Sequence, residues 1–392
     1  MRYISIQSKV LVTNKKPLRV CYFGTYRQYY SRNQMMMAGL RINGANVVEC
    51  HQTLWHGIED RVRVVSGVWL HPSFWWRVLA AYWKLVRSFS KLDEFDVLVI
   101  GYPGQMDVFL ARILSWLKHK PLVWDVFMSI YLISLERGLD KRNKPAVKLL
   151  HFLEGLALKL PNKLIIDTRE YVKWFTQNYK IRSERFELVP TGADDRIFKP
   201  MGKIPSVDAK FRVLYAGTFI PNHGVMYIAE AAKYLRDESD TVFELIGTGP
   251  DLPMVQQYVR NNHLTNIVFF DWMEKDQLSK HIGQADVCLG AFGSTPQSLM
   301  TVQNKVYETL AMAKPLISGD SVAVRQVLTH AEHAYLCERA NGQSLAEAIM
   351  LLKNDSSLRE RIARNGYTLY EGQYNLINIG KRFYSYLVEV IK

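Results

Sequence analysis

The sequence predicts an α/β protein made of two doubly wound domains, each a parallel sheet with helices on both faces. Three observations predict it. The apolar runs Leu18-Arg19-Val20-Cys21-Tyr22-Phe23 and Arg212-Val213-Leu214-Tyr215-Ala216 have strand length, and each ends in a glycine turn, at Gly24-Thr25 and Gly217-Thr218. A strand that stops at a glycine opens a doubly wound sheet, whose ligands sit at the carboxyl ends of the strands. A chain of 392 residues is long enough to bury two cores of this kind. With 48% hydrophobic and 22% charged residues it is globular and not disordered.

In the first half, Arg27 and Arg32 follow the Gly24 turn, and a helix rich in Met and Leu covers residues 35–40. Residues 46–50 form the second strand. Residues 51–72, with Trp55, His56 and Trp69, show no period. The next helix, residues 74–91, is unusual. Trp75, Leu79, Tyr82, Val86 and Phe89 recur at spacings of 4, 3, 4 and 3, and Arg77, Lys84, Arg87 and Lys91 at 7, 3 and 4. An aromatic face beside a cationic one suits a helix lying on an anionic bilayer. The alternative is a helix packed on the sheet with solvated cations. Residues 96–100 and 121–127 are the third and fourth strands, and Asp125 is the one carboxylate in the fourth. A charge there needs a partner or a task. Helices at about 147–160 and 169–178, with strands at 163–166 and 186–189, complete the domain. The run from Pro190 to Pro200 marks the boundary, and its adjacent Asp194 and Asp195 read as solvated, not as a metal site.

The second half repeats the plan. Strand 242–246 leads into Gly247-Thr248-Gly249-Pro250, whose glycines let the backbone approach a nucleobase or phosphate. Strand 266–270 ends at Asp271-Trp272-Met273-Glu274, and strand 285–292 is followed by a loop, 293–303. A helix then carries Val306, Leu310 and Ala313 on one stripe and stops before Pro315, where Leu316-Ile317 starts a strand. Asn304, Lys305 and Glu308 fall at its start, where free N–H groups and the helix dipole suit a phosphate. Lys305 reinforces such a site, and Glu308 suits hydroxyls. Together they describe a nucleoside diphosphate and its ribose. A helix at 322–328, a strand at 334–337, helices at about 344–353 and 357–370, and a final helix at 375–391 follow.

Charge and cysteine usage narrow the function classes. The net charge is +13, and residues 1–200 hold 31 Lys+Arg against 17 Asp+Glu, so the whole excess lies in the first half. That asymmetry points to an anionic partner, a membrane surface or a nucleic acid. Cys21, Cys50, Cys288 and Cys337 are scattered and read as buried free thiols of a cytosolic protein. No run is long and apolar enough to span a membrane, and residues 1–17 lack a signal-peptide core. Metalloprotease, zinc-ribbon, serine-hydrolase and phosphate-loop motifs are absent.

Glu308 followed by Ala311-Met312-Ala313-Lys314-Pro315 resembles the donor-site motif of the GT-B retaining glycosyltransferases of the family 4 type. The strand order, the Gly247-Thr248-Gly249-Pro250 turn and the Glu308 helix extend the resemblance over residues 186–365, and the first domain follows in outline. It implies two Rossmann-like domains facing each other across a cleft: an acceptor domain at 1–200, a nucleotide-sugar donor domain at 201–375, and a helix at 376–392 crossing back. It further implies a transferase that moves a sugar from a nucleoside diphosphate sugar with retention, in glycan or cell-envelope polysaccharide synthesis, without a metal or other cofactor. Lys305, Glu308 and Asp125 are the expected catalytic residues. Gly24, Arg27, Gly217, Thr218, His223, Gly247, Gly249, Met273 and Asn304 are expected around the donor.

The chain departs from the family at four places, the first being Thr191, where the similar interdomain loop of the family usually carries Asn. Thr218 and His223 stand where relatives carry an Arg and a Lys, so Arg27 is expected to compensate from across the cleft. Met300 stands where relatives place the first of two glutamates, which leaves sugar contacts to backbone N–H groups of residues 297–300. Asp125 lies two residues before the family's usual histidine position, which holds Phe127. The basic first half, the aromatic and cationic helix 74–91 and the lack of a spanning run together lead us to expect a lipid-linked acceptor and a protein peripheral on the cytoplasmic face of a membrane. Nucleic acid is not an expected partner, because the basic residues mix with bulky aliphatics and no recognition module is present. A GT-B subunit that binds without catalysis is the alternative, with a nucleic-acid-binding protein more distant.

Overall fold

The computed structural model describes residues 16–54, 72–202 and 210–392. Trp55, His56 and Trp69 lie outside the described residues. Among the described residues, twelve strands form two separate six-stranded sheets, every pairing within them parallel. The first contains β1 (Arg19–Gly24), β2 (Asn46–His51), β3 (Val97–Ile100), β4 (Leu122–Asp125), β5 (Lys163–Ile166) and β6 (Phe186–Leu188), in the order β2-β1-β3-β4-β5-β6. The second contains β7 (Phe211–Ala216), β8 (Thr241–Ile246), β9 (Ile267–Phe270), β10 (Val287–Leu289), β11 (Leu316–Gly319) and β12 (Tyr335–Cys337), in the order β12-β11-β10-β7-β8-β9. The strand order therefore reverses between β1 and β3 in one sheet and between β7 and β10 in the other. Those reversals open the crevices in which doubly wound folds bind ligands.

All twelve strands fall where the apolar runs predict them, shorter by a few residues at some ends. The fourth ends at Asp125, and Phe127 takes a left-handed backbone with φ 56°. Helices that the sequence reading passed over fill the crossovers at Asp107–Leu117, Ile130–Glu136, Val225–Tyr234, Leu252–Asn261 and Lys275–Gln284. A further short helix, Pro296–Met300, lies inside the expected loop 293–303. The donor-side helix is Asn304–Ala311, two residues shorter than its apolar stripe, because Ala313 turns left-handed ahead of Pro315. The four cysteines are buried free thiols.

Helices Pro72–Phe89, Asp107–Leu117 and Lys144–Ala157 cross the first sheet in one direction, so right-handed connections put them on one face. Leu85 and Phe89, Val108 and Leu114, and Ala157 accordingly share one buried cluster. This corrects the expected faces of helix Pro72–Phe89. Its core stripe is Phe74, Val78, Ala81, Leu85 and Phe89, and the Tyr82 hydroxyl donates to Asp107 at 3.0 Å. Phe89 and Tyr82 therefore face inward. Trp75, Trp76, Leu79, Trp83 and Val86 face out with Arg77, Lys84 and Arg87. The helix is both packed on the sheet and apolar outside.

On the opposite side, the last helix, Leu376–Ile391, packs along helix Ser31–Ile42 of the first domain. The two backbones touch at a glycine pair: a Cβ on Gly380 would lie 2.1 Å from the Gly39 carbonyl oxygen. The boundary loop anchors this crossing, since Asp195 accepts from the Leu376 N–H at 3.0 Å and the Ala193 carbonyl accepts from the Tyr370 hydroxyl at 2.9 Å. Asp194 is buried and pairs with Arg196 at 2.7 Å. Neither aspartate is the solvated group that the sequence implied, because both tie down the loop.

Gly380→Ala should force these helices apart and destabilise the protein by roughly 1–3 kcal/mol in chemical denaturation. Gly372→Ala, where a Cβ meets nothing within 4 Å, should be neutral or slightly stabilising.

Candidate functional site

The carboxyl ends of β7 and β10 frame a crevice at the strand-order reversal of the second sheet, and helix Asn304–Ala311 starts there. No side chain caps that helix, and no acidic residue lies in its first turn. Lys305 is 8% exposed, and its Nζ has no hydrogen-bond partner. The ammonium sits 3.8 Å from the centre of the Tyr215 ring, and burial pushes its pKa well below the ordinary lysine value. The Glu308 charge partly offsets that burial, and a buried lysine whose Nζ has no hydrogen-bond partner, beside uncapped N–H groups, suits an anion. Asn304 is the first residue of the helix, with its own N–H in that uncapped turn.

The glycines around it serve a different purpose from the one the sequence implied. A Cβ on Gly217, which has φ +151°, would lie 2.6 Å from Lys305 Nζ, so this glycine makes room for the ammonium. A Cβ on Gly247 would meet the Gly217 carbonyl oxygen at 2.1 Å, and one on Gly249 the Phe219 carbonyl oxygen at 2.4 Å. Gly247 and Gly249 thus let the loops after β7 and β8 pack on each other. Thr218 turns its carbonyl inward, where the Tyr215 hydroxyl donates to it at 2.9 Å. His223 Nδ1 lies 2.7 Å from the same carbonyl, so Nδ1 carries the proton. Burial and the nearby Lys305 charge hold the imidazole well below its usual pKa, and it is neutral. Neither residue replaces a permanent cation.

Glu308 lies half-buried one turn beyond Asn304, within the fields of Lys275 and Lys305. Burial outweighs both cations and pushes its carboxyl up to about 6. Lys275 also reaches across to the first domain, where its Nζ donates to Gln34 Oε1 at 3.1 Å. Met273, in the loop after β9, is half-buried and packs on the core.

The segment before the helix is committed to the interface between the domains. Met300 buries its side chain in the first domain's core cluster, and its carbonyl accepts from the Thr168 hydroxyl at 2.7 Å. The Thr301 and Tyr171 hydroxyls lie 3.1 Å apart. The Gln297 N–H donates to Glu136 at 2.7 Å, Ser298 N–H to the Thr295 hydroxyl at 3.2 Å, and Leu299 N–H to the Thr295 carbonyl at 3.1 Å. Those N–H groups are therefore not free to hold a sugar, contrary to expectation. Arg339 braces the same loop by donating to the Gly293 carbonyl and the Ser298 hydroxyl, both at 2.8 Å.

Comparison with known proteins bears on this arrangement. Residues 210–355 match the family model described as Glycosyl transferases group 1. Alpha-D-kanosaminyltransferase of Streptomyces kanamyceticus is 26% identical over 169 residues, 43% of this chain and 43% of its own length. The lipopolysaccharide core biosynthesis glycosyltransferase LpsD of Rhizobium meliloti is 27% identical over 157 residues, 40% of this chain and 43% of its own. The matches thus span less than half the length of these curated relatives. Among solved structures, HepE of Anabaena in complex with UDP superposes with a TM-score of 0.69 at 12% identity, covering 95% of this chain and all of that one. The fold is GT-B.

In the first domain of this GT-B fold, Gly24 has φ +133°, and a Cβ there would strike the Asp107 carboxylate at 2.5 Å. Asp107 accepts from the Thr25 N–H at 2.7 Å and its hydroxyl at 2.9 Å, so the Gly24 turn is held by a protein carboxylate. Arg27 is half-buried with its guanidinium 5.3 Å from the centre of the Tyr30 ring. Asp125 is fully buried in a two-pronged pair with Arg32, at 2.7 Å to Nη2 and 2.8 Å to Nε. The carboxylate expected to orient an acceptor is instead paired with Arg32, to which the sequence assigned no role. Among the described residues no group of three or more His, Cys, Asp or Glu is arranged to hold a metal ion.

The sequence reading singled out neither Lys275, Arg339 nor Asp167, which lies at the end of β5. Each is a single charged residue at the carboxyl end of a strand or the start of a helix, and that position was the available signal.

Because Glu308 titrates near 6 when folded and near 4.5 when unfolded, its contribution to stability is full below pH 4.5 and is lost as the pH rises through about 6. Glu308→Gln should match the wild type in melting temperature at pH 4 and exceed it by a margin that grows to a plateau above pH 6.5. A scan by differential scanning fluorimetry reads this directly.

Proposed function

We propose that the protein is a glycosyltransferase that moves a sugar from a nucleoside diphosphate sugar to an acceptor, with retention at the anomeric carbon. One observation carries this reading: the buried, unpartnered Lys305 at the uncapped start of helix Asn304–Ala311, in the crevice of the second sheet. The leaving group of such a reaction is a nucleoside diphosphate, whose charge grows as the glycosidic bond breaks. A preorganised ammonium and a helix N-terminus stabilise that charge most where it develops. Lys305 and the helix start take the part a divalent ion plays elsewhere, so no metal is required. Glu308 accepts from the ribose hydroxyls. The departing phosphate takes the acceptor proton, so no separate base is called for. Support comes from the relatives that match the donor domain, both named as glycosyltransferases, and from the HepE neighbour in complex with UDP. Synthesis of a cell-envelope glycan is the setting this reading favours.

The acceptor side is read as lipid-linked. Besides Trp75, Trp76, Leu79 and Trp83, the neighbouring helices expose Ile113, Trp116 and Leu117, and Leu149 and Phe152. Arg87 stacks on Trp83 at 5.4 Å, and Lys84, Lys118 and Lys148 are exposed among them. An apolar area edged by cations fits an anionic bilayer, where each basic residue contributes about 1 kcal/mol. No helix among the described residues is long and apolar enough to cross a membrane. The protein is proposed to work peripherally on the cytoplasmic face, with its acceptor domain against the lipid.

Three outcomes test these statements. Glu308→Ala should weaken nucleoside diphosphate binding roughly 10- to 150-fold by calorimetry, the equivalent of one hydrogen bond to a charged group. Lys305→Ala should lower turnover more than donor affinity, and wild-type affinity should fall as the pH rises through the depressed pKa of Lys305. Unchanged turnover in Lys305→Ala, measured as donor hydrolysis or transfer, would leave a protein that binds without catalysis. In flotation, anionic vesicles should retain the wild type and release it with salt. A variant with Trp76, Trp83 and Trp116 changed to Ser should stay soluble, and equal binding by both rejects the membrane surface.

A further inference from the structure

Lys305 ends its side chain against an aromatic ring, and the contacts of that ring hold it still. Tyr215, the next-to-last residue of β7, is fully buried, and Lys305 Nζ lies 3.8 Å from its ring centre. A ring face attracts an ammonium electrostatically, and more strongly when both are out of water. The Tyr215 hydroxyl donates to the Thr218 carbonyl at 2.9 Å, and the same carbonyl accepts from His223 Nδ1 at 2.7 Å. His223 Nδ1 also lies 3.0 Å from the Tyr215 hydroxyl oxygen, so ring, imidazole and turn are tied at one point. Phe219 meets the Tyr215 ring at nearly a right angle, with the ring centres 5.8 Å apart.

Gly217 lines the same slot. A Cβ there would lie 2.6 Å from Lys305 Nζ and 3.3 Å from the Tyr215 hydroxyl oxygen. The ammonium therefore rests where the ring and the backbone of the turn both come close to it.

Charge around this ammonium is sparse among the described residues. Burial depresses the lysine, and the Glu308 charge, from its own helix, works against that. On the loop after β7, His223 is neutral, and Asp251, ahead of helix Leu252–Asn261, acts on Tyr215. Residues 290–295, whose Phe292 N–H donates to the His223 carbonyl at 2.9 Å, carry no titratable group. None of these groups gives Nζ a hydrogen bond. The ring is the contact that remains.

We infer that Tyr215 is a positioning residue of the donor site: its ring holds the Lys305 ammonium in place at the start of helix Asn304–Ala311 before a diphosphate arrives. The assignment rests on the donor-site reading above and names the residue through which Lys305 is placed. A lysine is a point charge on a flexible four-carbon stem, and ordering it beforehand removes that cost from binding. The ring face also favours the charged amine over the neutral one, which opposes the effect of burial.

Phenylalanine and its mono-, di- and trifluorinated forms at position 215 keep the shape of the ring while fluorine withdraws negative charge from its face step by step. Calorimetry with UDP, GDP, ADP and dTDP, repeated over a range of pH, reads the effect. Tyr215→Phe should keep the affinity of the wild type to within a few-fold. The trifluorinated ring should weaken binding roughly tenfold relative to phenylalanine, the order of a desolvated cation–π contact. The pH at which affinity falls should move down along the series, because a weaker ring stabilises the ammonium less. In a Lys305→Ala background the same series should change nothing, as a double-mutant cycle requires of an effect carried by that lysine. Equal affinity and equal pH dependence across the series, or the same loss with Lys305→Ala, overturns the assignment while the nucleotide site stands. Wild-type protein that binds none of the four nucleotides overturns the donor-site reading itself, and the assignment with it.

Discussion

The Arg32–Asp125 pair is the interaction on which the first domain's working face depends. Both side chains are fully buried, and the guanidinium joins three elements at once. It rises from helix Ser31–Ile42, pairs with the end of β4, donates to the carbonyl after β6, and lies 4.7 Å from the centre of the Phe127 ring. Taking two charges out of water is expensive, and only good geometry with every donor used offsets it. Removing one partner would strand the other, at about 3–5 kcal/mol. The pair therefore fixes helix Ser31–Ile42 against the carboxyl edge of the sheet. The same helix carries Gly39, on which the last helix crosses, and Gln34, which meets Lys275 of the second domain. That helix therefore holds two of the contacts between the domains, beside those that Gln297, Met300 and Thr301 make with the first domain.

On the other side of the cleft the electrostatics are deliberately incomplete. Lys305 has an aromatic ring, an uncapped helix start and the charge of Glu308 nearby but no hydrogen-bond partner, and the nearby His223 is held neutral by burial and by the lysine itself. Glu308 is raised by the same burial that depresses Lys305. Such groups cost stability, and under the proposed function a ligand would supply the missing charge, the usual trade between stability and function. The loop before the helix is built the opposite way. Its N–H groups at residues 297–299, its carbonyl at residue 300 and the Thr301 hydroxyl are matched within the protein, and it joins the domains.

Surface chemistry divides along the same line. One face of the first sheet carries three helices whose inner stripes share a core and whose outer stripes carry tryptophan, leucine and phenylalanine among lysines and arginines. The other face is closed by the helix that returns from the second domain. The charge excess of the first half thus has an apolar area to border.

The sequence by itself determined the two doubly wound sheets, because buried parallel strands read as continuous apolar runs and each opens a domain at a glycine turn. It also placed Lys305 and Glu308 in the first turns of a helix, because a helix start before an apolar stripe is a local feature. What it could not determine was which atoms are already used. Asp125 and Arg32 lie 93 positions apart, and only the folded chain shows that they satisfy each other. Gly247 and Gly249 are needed for one loop to pack on another, and Met300 is apolar because it enters the opposite domain's core. The inner and outer faces of helix Pro72–Phe89 are both apolar, so periodicity identified an amphipathic helix and misplaced its stripe. Asp167 has an ordinary local context, and only tertiary structure brings it within the fields of Arg32 and Asp125. Hydrogen-bond satisfaction is a property of contacts between distant segments, and those contacts exist only once the two domains have closed on each other.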